Sequence, residues 1–364
     1  MVFCNSNISN LVIVIILMFS SFILFSKNNF GTNNIITNDK DVLDLKFLQN
    51  SYAFESNNVN SDLNLAYGKS KIYYKENDGN FNNKNKESTI FNFVAVGDWD
   101  CTDKTEQTVE NIIDQDPEMV LALGDLSYNG KAKCWLDLIK PIADKTKIVI
   151  GNHEADSSKL REEYMNYFGL KEQYYSFNYK NMHFLALSTE VQFDAESRQY
   201  EFAKRDLEKY SKDPFIDWII VFYHRQIYGS ASGSEHEDDF REAYHPLFDK
   251  YKVDLALQGH FHLYERTYPI IFNNNDNDKP HIQDYDPDIY KNSKGTIFVT
   301  IGTAGAQHVT LSSIEDFSAE AIDGKFGILD IALENDGKTL TGTFIENGKK
   351  KEVMDEFRIV KDKT

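Results

Sequence analysis

Positive charge is in short supply in this chain of 364 residues: 39 Lys and Arg stand against 57 Asp and Glu, a formal net charge of −18. Nucleic-acid partners call for a basic stripe that neutralises their phosphates, so the expectation is no nucleic-acid partner. The same balance does not exclude a small anionic substrate, because bound cations would reverse the local field. Cysteine is scarcer still, with only Cys4, Cys101 and Cys134. Cys4 precedes a long apolar run, so it is no lipid-attachment cysteine of the usual post-signal kind. No internal repeat of fixed period is present. What the chain does have is 41% hydrophobic and 13% aromatic content, enough for one large core.

The long apolar run is Leu11 to Phe25 (LVIVIILMFSSFILF), followed by Ser26 and Lys27. It is longer than most secretory h-regions and slightly short for a membrane span. No basic residue precedes it, and no Ala-x-Ala-like cleavage site follows. Residues 1–27 therefore read as an export signal, cleaved or retained as a membrane anchor through residues 11–25; a buried core helix is the rival. The expected location is outside the cytoplasm, secreted or membrane-anchored on the extracytoplasmic side. Residues 28–90 are polar and asparagine-rich, too poor in apolar periodicity for a packed domain, and read as a linker or arm with a short strand at Lys71–Tyr74.

From Phe91 to the C-terminus the pattern is that of one domain, 91–364. FNFVAVGD, MVLALGD, KIVIGNHE, HFLALS, WIIVFYH and VDLALQGH are apolar runs that end in polar or glycine-bearing turns. Helical segments alternate with them: Lys104–Gln115, Lys133–Asp144, Ser158–Phe168, Ser197–Lys212 and Asp238–Tyr251. This alternation predicts an α/β core with parallel central strands, and ligands collecting beyond the strands' carboxyl ends. The last third reads as strands at Gly295–Gly302, Lys325–Leu333, Thr339–Glu346 and Lys351–Val360, expected to extend a second sheet. An Asn347-Gly348 turn is expected to join the last two.

The strand ends carry the chemistry. In order they supply Asp98, Asp125 and Tyr128, Asn152 with His153, then His224, and finally His260 and His262. Hard oxygens and imidazoles at separate strand ends suit a bridged pair of metal ions. Asp98, Asp125, a Tyr128 phenolate and His262 would give one ion three anionic ligands, which suits Fe(III). Asp125, Asn152, His224 and His260 would give the other little negative charge, which suits divalent Zn, Fe or Mn. His153 is left to reach the substrate. Cys101 and Cys134 each follow one of these loops closely; they pair if the loops meet, and otherwise are two unpaired buried thiols.

Gly124-Asp125-Leu126-Ser127-Tyr128 and Gly259-His260-Phe261-His262-Leu263-Tyr264-Glu265-Arg266 resemble motifs of the purple acid phosphatases, in the calcineurin-like metallophosphoesterase superfamily. The resemblance covers about Phe91 to Val360. It implies a four-layer αββα sandwich of two mixed sheets flanked by helices, with the metal site at the strand C-terminal ends. It further implies hydrolysis of small phosphate monoesters by in-line attack of a metal-held hydroxide, with His153 binding the phosphoryl group. His236 lies near where the family places a second histidine that protonates the leaving group. Two positions depart from the family pattern: Asp100 stands where a glycine is usual, and Gln226 where a proline is common after His224. The rival expectations are a phosphodiesterase or nucleotidase with the same centre, and a surface protein that binds metal without turnover.

Overall fold

A computed structural model describes residues 89–230, 237–311, 313–334 and 336–362. The apolar N-terminal run, Cys4, the expected strand at Lys71–Tyr74 and His236 lie outside the described residues. The expected arm gives way to structure at Thr89, where the first strand begins.

Every apolar run named above becomes a strand. Thr89–Val96 (β1), Met119–Ala122 (β2) and Thr146–Ile148 (β3) run parallel, with Phe93 opposite Met119 and Val120 opposite Thr146. Tyr175–Tyr179 (β4), Met182–Ala186 (β5), Trp218–Arg225 (β6), Leu255–Gly259 (β7) and Tyr264–Thr267 (β8) follow. Ile270–Ile271 (β9) and His281–Ile282 (β10) form a small ribbon. The chain then adds Ile289–Lys291 (β11), Ile297–Ile301 (β12), Ser318–Ile322 (β13), Gly327–Glu334 (β14), Thr339–Glu346 (β15) and Val353–Val360 (β16). Two seven-stranded mixed sheets result, ordered β11-β16-β15-β14-β1-β2-β3 and β13-β8-β12-β7-β6-β5-β4.

The helices are Asp103–Gln115 (α1), Ala132–Leu138 (α2), Asn152–Ala155 (α3), Ser158–Tyr167 (α4), Arg198–Tyr210 (α5) and Asp238–Tyr251 (α6). Thr102 caps α1 by accepting from Lys104 N at 3.2 Å, and Asp116 ends it in the left-handed conformation. α2 is shorter than expected, because Pro141 disfavours helix at the residue before it.

The two sheets face each other through Phe93 against Phe184 (ring centroids 5.3 Å apart) and Tyr264 stacked on Phe344 (4.2 Å). Val109 and Ile112 of α1 belong to this central core. On the second sheet's outer side, Leu207 of α5 and Phe240, Tyr244 and Phe248 of α6 pack with Val221 and Tyr223. Each such fully buried side chain contributes about 1.5–3 kcal/mol of transfer free energy. The architecture is therefore helix, sheet, sheet, helix. Among the described residues no helix is long and apolar enough to cross a membrane.

The last third is partitioned differently from its linear reading. β14, β15 and β16 do not build a second sheet; they attach antiparallel to β1 and widen the first. β12 alone joins the second sheet, parallel to β7. Asn347-Gly348 does not form a tight two-residue turn either. The hairpin closes further out, with Glu346 N donating to Glu352 O at 2.9 Å. Asn347 instead docks α1, donating to Thr108 Oγ1 at 2.6 Å and accepting from Asn111 Nδ2 at 3.0 Å.

Candidate metal centre

The donor groups sit where β1, β2, β3, β6 and β7 end. Asp98 and Asp125 are fully buried, and their loops run side by side: Asp98 N donates to Gly124 O at 3.1 Å and Trp99 N to Asp125 O at 2.9 Å. Asp98 (φ 61°), Asp125 (φ 48°) and His260 (φ 71°) all lie in the left-handed region, an uncommon concentration of strained non-glycine backbone at one place. The strain at His260 is fixed by its N–H, which donates to Asp98 Oδ2 at 2.8 Å. Gly259 is needed just before it, since a Cβ there would stand 2.9 Å from that same oxygen.

Two groups of donors share Asp125. In the first, the Tyr128 hydroxyl lies 3.1 Å from Asp98 Oδ1, 3.3 Å from Asp125 Oδ2 and 2.8 Å from His262 Nε2. In the second, His224 Nε2 lies 3.3 Å from Asp125 Oδ2 and 3.0 Å from Asn152 Oδ1. One ligand atom each from Asp125, His224 and His260 fall within 4.8 Å of one another. His224 Nδ1 faces Leu123 O at 2.8 Å, and His262 Nδ1 faces Gln307 O at 2.5 Å. A carbonyl only accepts, so both Nδ1 atoms carry hydrogen and both Nε2 atoms are turned to the centre.

The electrostatics are those of a site built for cations. Burial alone would raise Asp125, yet the neighbouring His224 charge and hydrogen bond hold it well below the usual carboxylate range. Reciprocally, burial would lower His224, but Asp125 and then Asp98 lift it to about 10. Tyr128 is pushed far above the usual phenol range, by burial first and then by Asp98 and Asp125. Burial and the His224 charge push His260 down to about 4, so its ring is neutral. His260 Nδ1 is buried and has no hydrogen-bond partner among the described residues. The protons held on His224 and Tyr128 thus stand where positive ions would, beside an imidazole with a bare, buried nitrogen. These residues fit a pair of bound metal ions.

His153 occupies the rim. Its backbone N–H donates to Asp125 Oδ1 at 3.0 Å, while its ring, 41% exposed, lies 4.1 Å from the Tyr128 ring. Asp100 solves the missing-glycine problem by adopting φ 59° itself, and its carboxylate turns back to accept from Cys101 N at 2.7 Å. A disulfide joins Cys101 to Cys134, tying the Asp98 loop to the loop after Tyr128.

Residues 91–264 match the calcineurin-like phosphoesterase family. The chain belongs to the calcineurin-like phosphoesterases. Among curated relatives, purple acid phosphatase 22 of Arabidopsis thaliana is 31% identical over 226 residues, 56% of this chain and 52% of that protein. Probable inactive purple acid phosphatase 27 of the same plant is 31% identical over 261 residues, covering 63% and 40%. The solved purple acid phosphatase PPD1 from yellow lupin seeds superposes with a TM-score of 0.65 at 27% identity, covering 76% of this chain and 54% of the other. This phosphoesterase spans about half the length of the curated relatives it matches.

The sequence reading gave no role to several groups that hold the phosphoesterase site in shape. Glu154, fully buried, accepts from Leu126 N (2.9 Å) and Ser127 N (3.4 Å) on one loop and from Gly151 N (3.0 Å) on another. Glu265 accepts from Ser230 N at 2.8 Å and anchors the segment after His224. Loop 303–308 closes the far side, with Gly305 N (3.1 Å) and Ala306 N (3.0 Å) donating to Asp98 O. Only the placement of Glu154 inside Gly-Asn-His-Glu offered a sequence signal.

Proposed function

We propose that this phosphoesterase hydrolyses small phosphate monoesters at a centre of two metal ions, in the manner of an acid phosphatase. The observation that carries the reading is Asp125, a buried carboxylate shared by two donor groups with the half-exposed His153 beside it. Asp98, Asp125, Tyr128 and His262 would hold one ion; Asp125, Asn152, His224 and His260 would hold the other. Three anionic oxygens suit Fe(III) in the first position and a neutral-rich set suits Zn, Fe(II) or Mn in the second. Bound there, the ions would acidify a water and neutralise phosphoryl oxygens.

The chain's own part is orientation and proton handling. His153 Nε2 stands 3.8 Å from Asp125 Oδ2 on the open side, so its ring can donate to a phosphoryl oxygen lying over the centre. The carbonyls of Leu123 and Gln307 hold His224 and His262 in one tautomer, which spares rearrangement when charge develops. His236 is the proposed proton donor to the departing alkoxide. The Cys101–Cys134 bond supports export to an oxidising compartment, secreted or anchored at the membrane.

The test is metal analysis of the purified protein with its visible spectrum, beside hydrolysis of phenyl phosphate. Wild type should carry iron, absorb visible light through a tyrosinate-to-iron transition and turn over; Tyr128→Phe should be colourless. Iron-free, colourless but active protein would refute the iron assignment. Two relatives bear names marking them probable inactive, which favours a second reading, metal binding without turnover. Loaded protein that leaves both phenyl phosphate and a matched diester intact would establish that reading instead.

A further inference from the structure

One charged group on the rim of the donor cluster has no part in the chemistry above. Arg225 ends β6 directly after His224, in register with Gly259 of β7. Its Nε donates to Glu190 Oε1 at 2.7 Å, and Glu190 accepts in turn from Thr189 Oγ1 at 3.0 Å. The Arg225 backbone N–H donates to the same Thr189 hydroxyl at 3.3 Å. The Glu190 side chain is only 8% exposed, whereas that of Arg225 is 25% exposed. Among the described residues the guanidinium makes no other hydrogen bond, so its two terminal nitrogens remain available; Glu237 Oε2 comes only within 3.9 Å of Nε. Arg225's charge is felt at both Asp125 and His260. The next residue, Gln226, is buried, and neither atom of its amide has a hydrogen-bond partner among the described residues.

An arginine gripped at Nε by a buried carboxylate, with its terminal edge free, is preorganised for bidentate contact with a second anion. In a chain of net charge −18 a cation kept open beside a metal centre is a conspicuous exception. Resting on the hydrolase reading, we propose that Arg225, steadied by Glu190, is a specificity-determining residue that binds a phosphate carried by the leaving group. The site then favours diphosphate-type substrates, such as nucleoside diphosphates, over monoesters with a neutral leaving group.

The test is calorimetric binding of methylphosphonate and of methylenediphosphonate, which differ by one phosphonate and are not hydrolysed, to the metal-loaded full chain. Wild type should prefer the diphosphonate. Arg225→Gln should lower the ratio of the two affinities by roughly tenfold or more, the effect of losing a charged hydrogen-bond pair. Arg225→Lys should fall between, and Glu237→Gln, which removes a competing carboxylate, should raise the ratio. An unchanged ratio in Arg225→Gln, or a lowered one in Glu237→Gln, overturns the assignment. Phenyl phosphate hydrolysis by wild type is scored separately: its failure would sink the hydrolase reading while the binding ratio still judges Arg225.

Discussion

Replacing Glu154 by alanine should loosen two ligand loops in a single step. The carboxylate accepts from Leu126 N at 2.9 Å and Gly151 N at 3.0 Å, with a weaker contact to Ser127 N at 3.4 Å. Alanine leaves those donors buried and unpaired, at about 1–3 kcal/mol for each of the two short bonds. An offset exists, because burial and the nearby Asp125 charge push Glu154 up to about 8, and relieving that repulsion returns some stability. The net loss should be about 2–4 kcal/mol in urea-induced unfolding of the metal-loaded protein. Metal affinity should fall about 10–100-fold, since the same bonds aim Asp125 and Asn152. Glu154→Gln keeps one acceptor oxygen and should lose roughly half as much stability. Glu154→Ala that unfolds within about 0.5 kcal/mol of wild type and retains full metal content would refute the reasoning.

Two further outcomes follow from contacts away from the centre. The Cys101–Cys134 bond closes a loop with a sequence separation of 33, so replacing both cysteines by serine should cost about 3–4 kcal/mol of unfolding free energy under non-reducing conditions. A change below about 1 kcal/mol would count against the bond as a stabilising tether. Asp217 is held below its ordinary value of 3.8: burial works against this, while the hydrogen bonds from Lys338 and Asn181 lower it. Its contribution is therefore fully present above the ordinary carboxylate range and is lost as pH falls through the lowered value. Asp217→Asn should flatten that part of the acid limb in thermal unfolding scanned from about pH 5 to 2; an unchanged limb would show the pairing to be idle.

How far the sequence reached is visible in particular residues. Asp98, Asp125, Asn152, His224 and His260 were legible because each ends an apolar run, and a strand's end fixes where its next residues go. Asp100 read as a disturbance, since nothing in a linear chain tells that an aspartate will take φ 59° and fold its carboxylate onto the next amide. Glu154 and Glu265 stayed silent because their partners are backbone amides of remote loops, which carry no side-chain signature. The assignment of β12 to one sheet and β14–β16 to the other failed for a related reason. Strand pairing is decided by which open edge is available, and the edge of β1 lies more than two hundred residues away in sequence from β14.

Three hydrogen bonds stitch the two sheets together at the donor cluster itself: Gly97 N to Ile301 O, His224 Nδ1 to Leu123 O and His260 N to Asp98 Oδ2, each 2.8 Å long. Half of the donors ride on one sheet and half on the other, so neither half of the sandwich owns a usable cradle. During biosynthesis a chain that has built only its first layer would have nothing with which to capture an ion. Cation uptake then becomes a checkpoint on docking, the closing event of maturation instead of its seed.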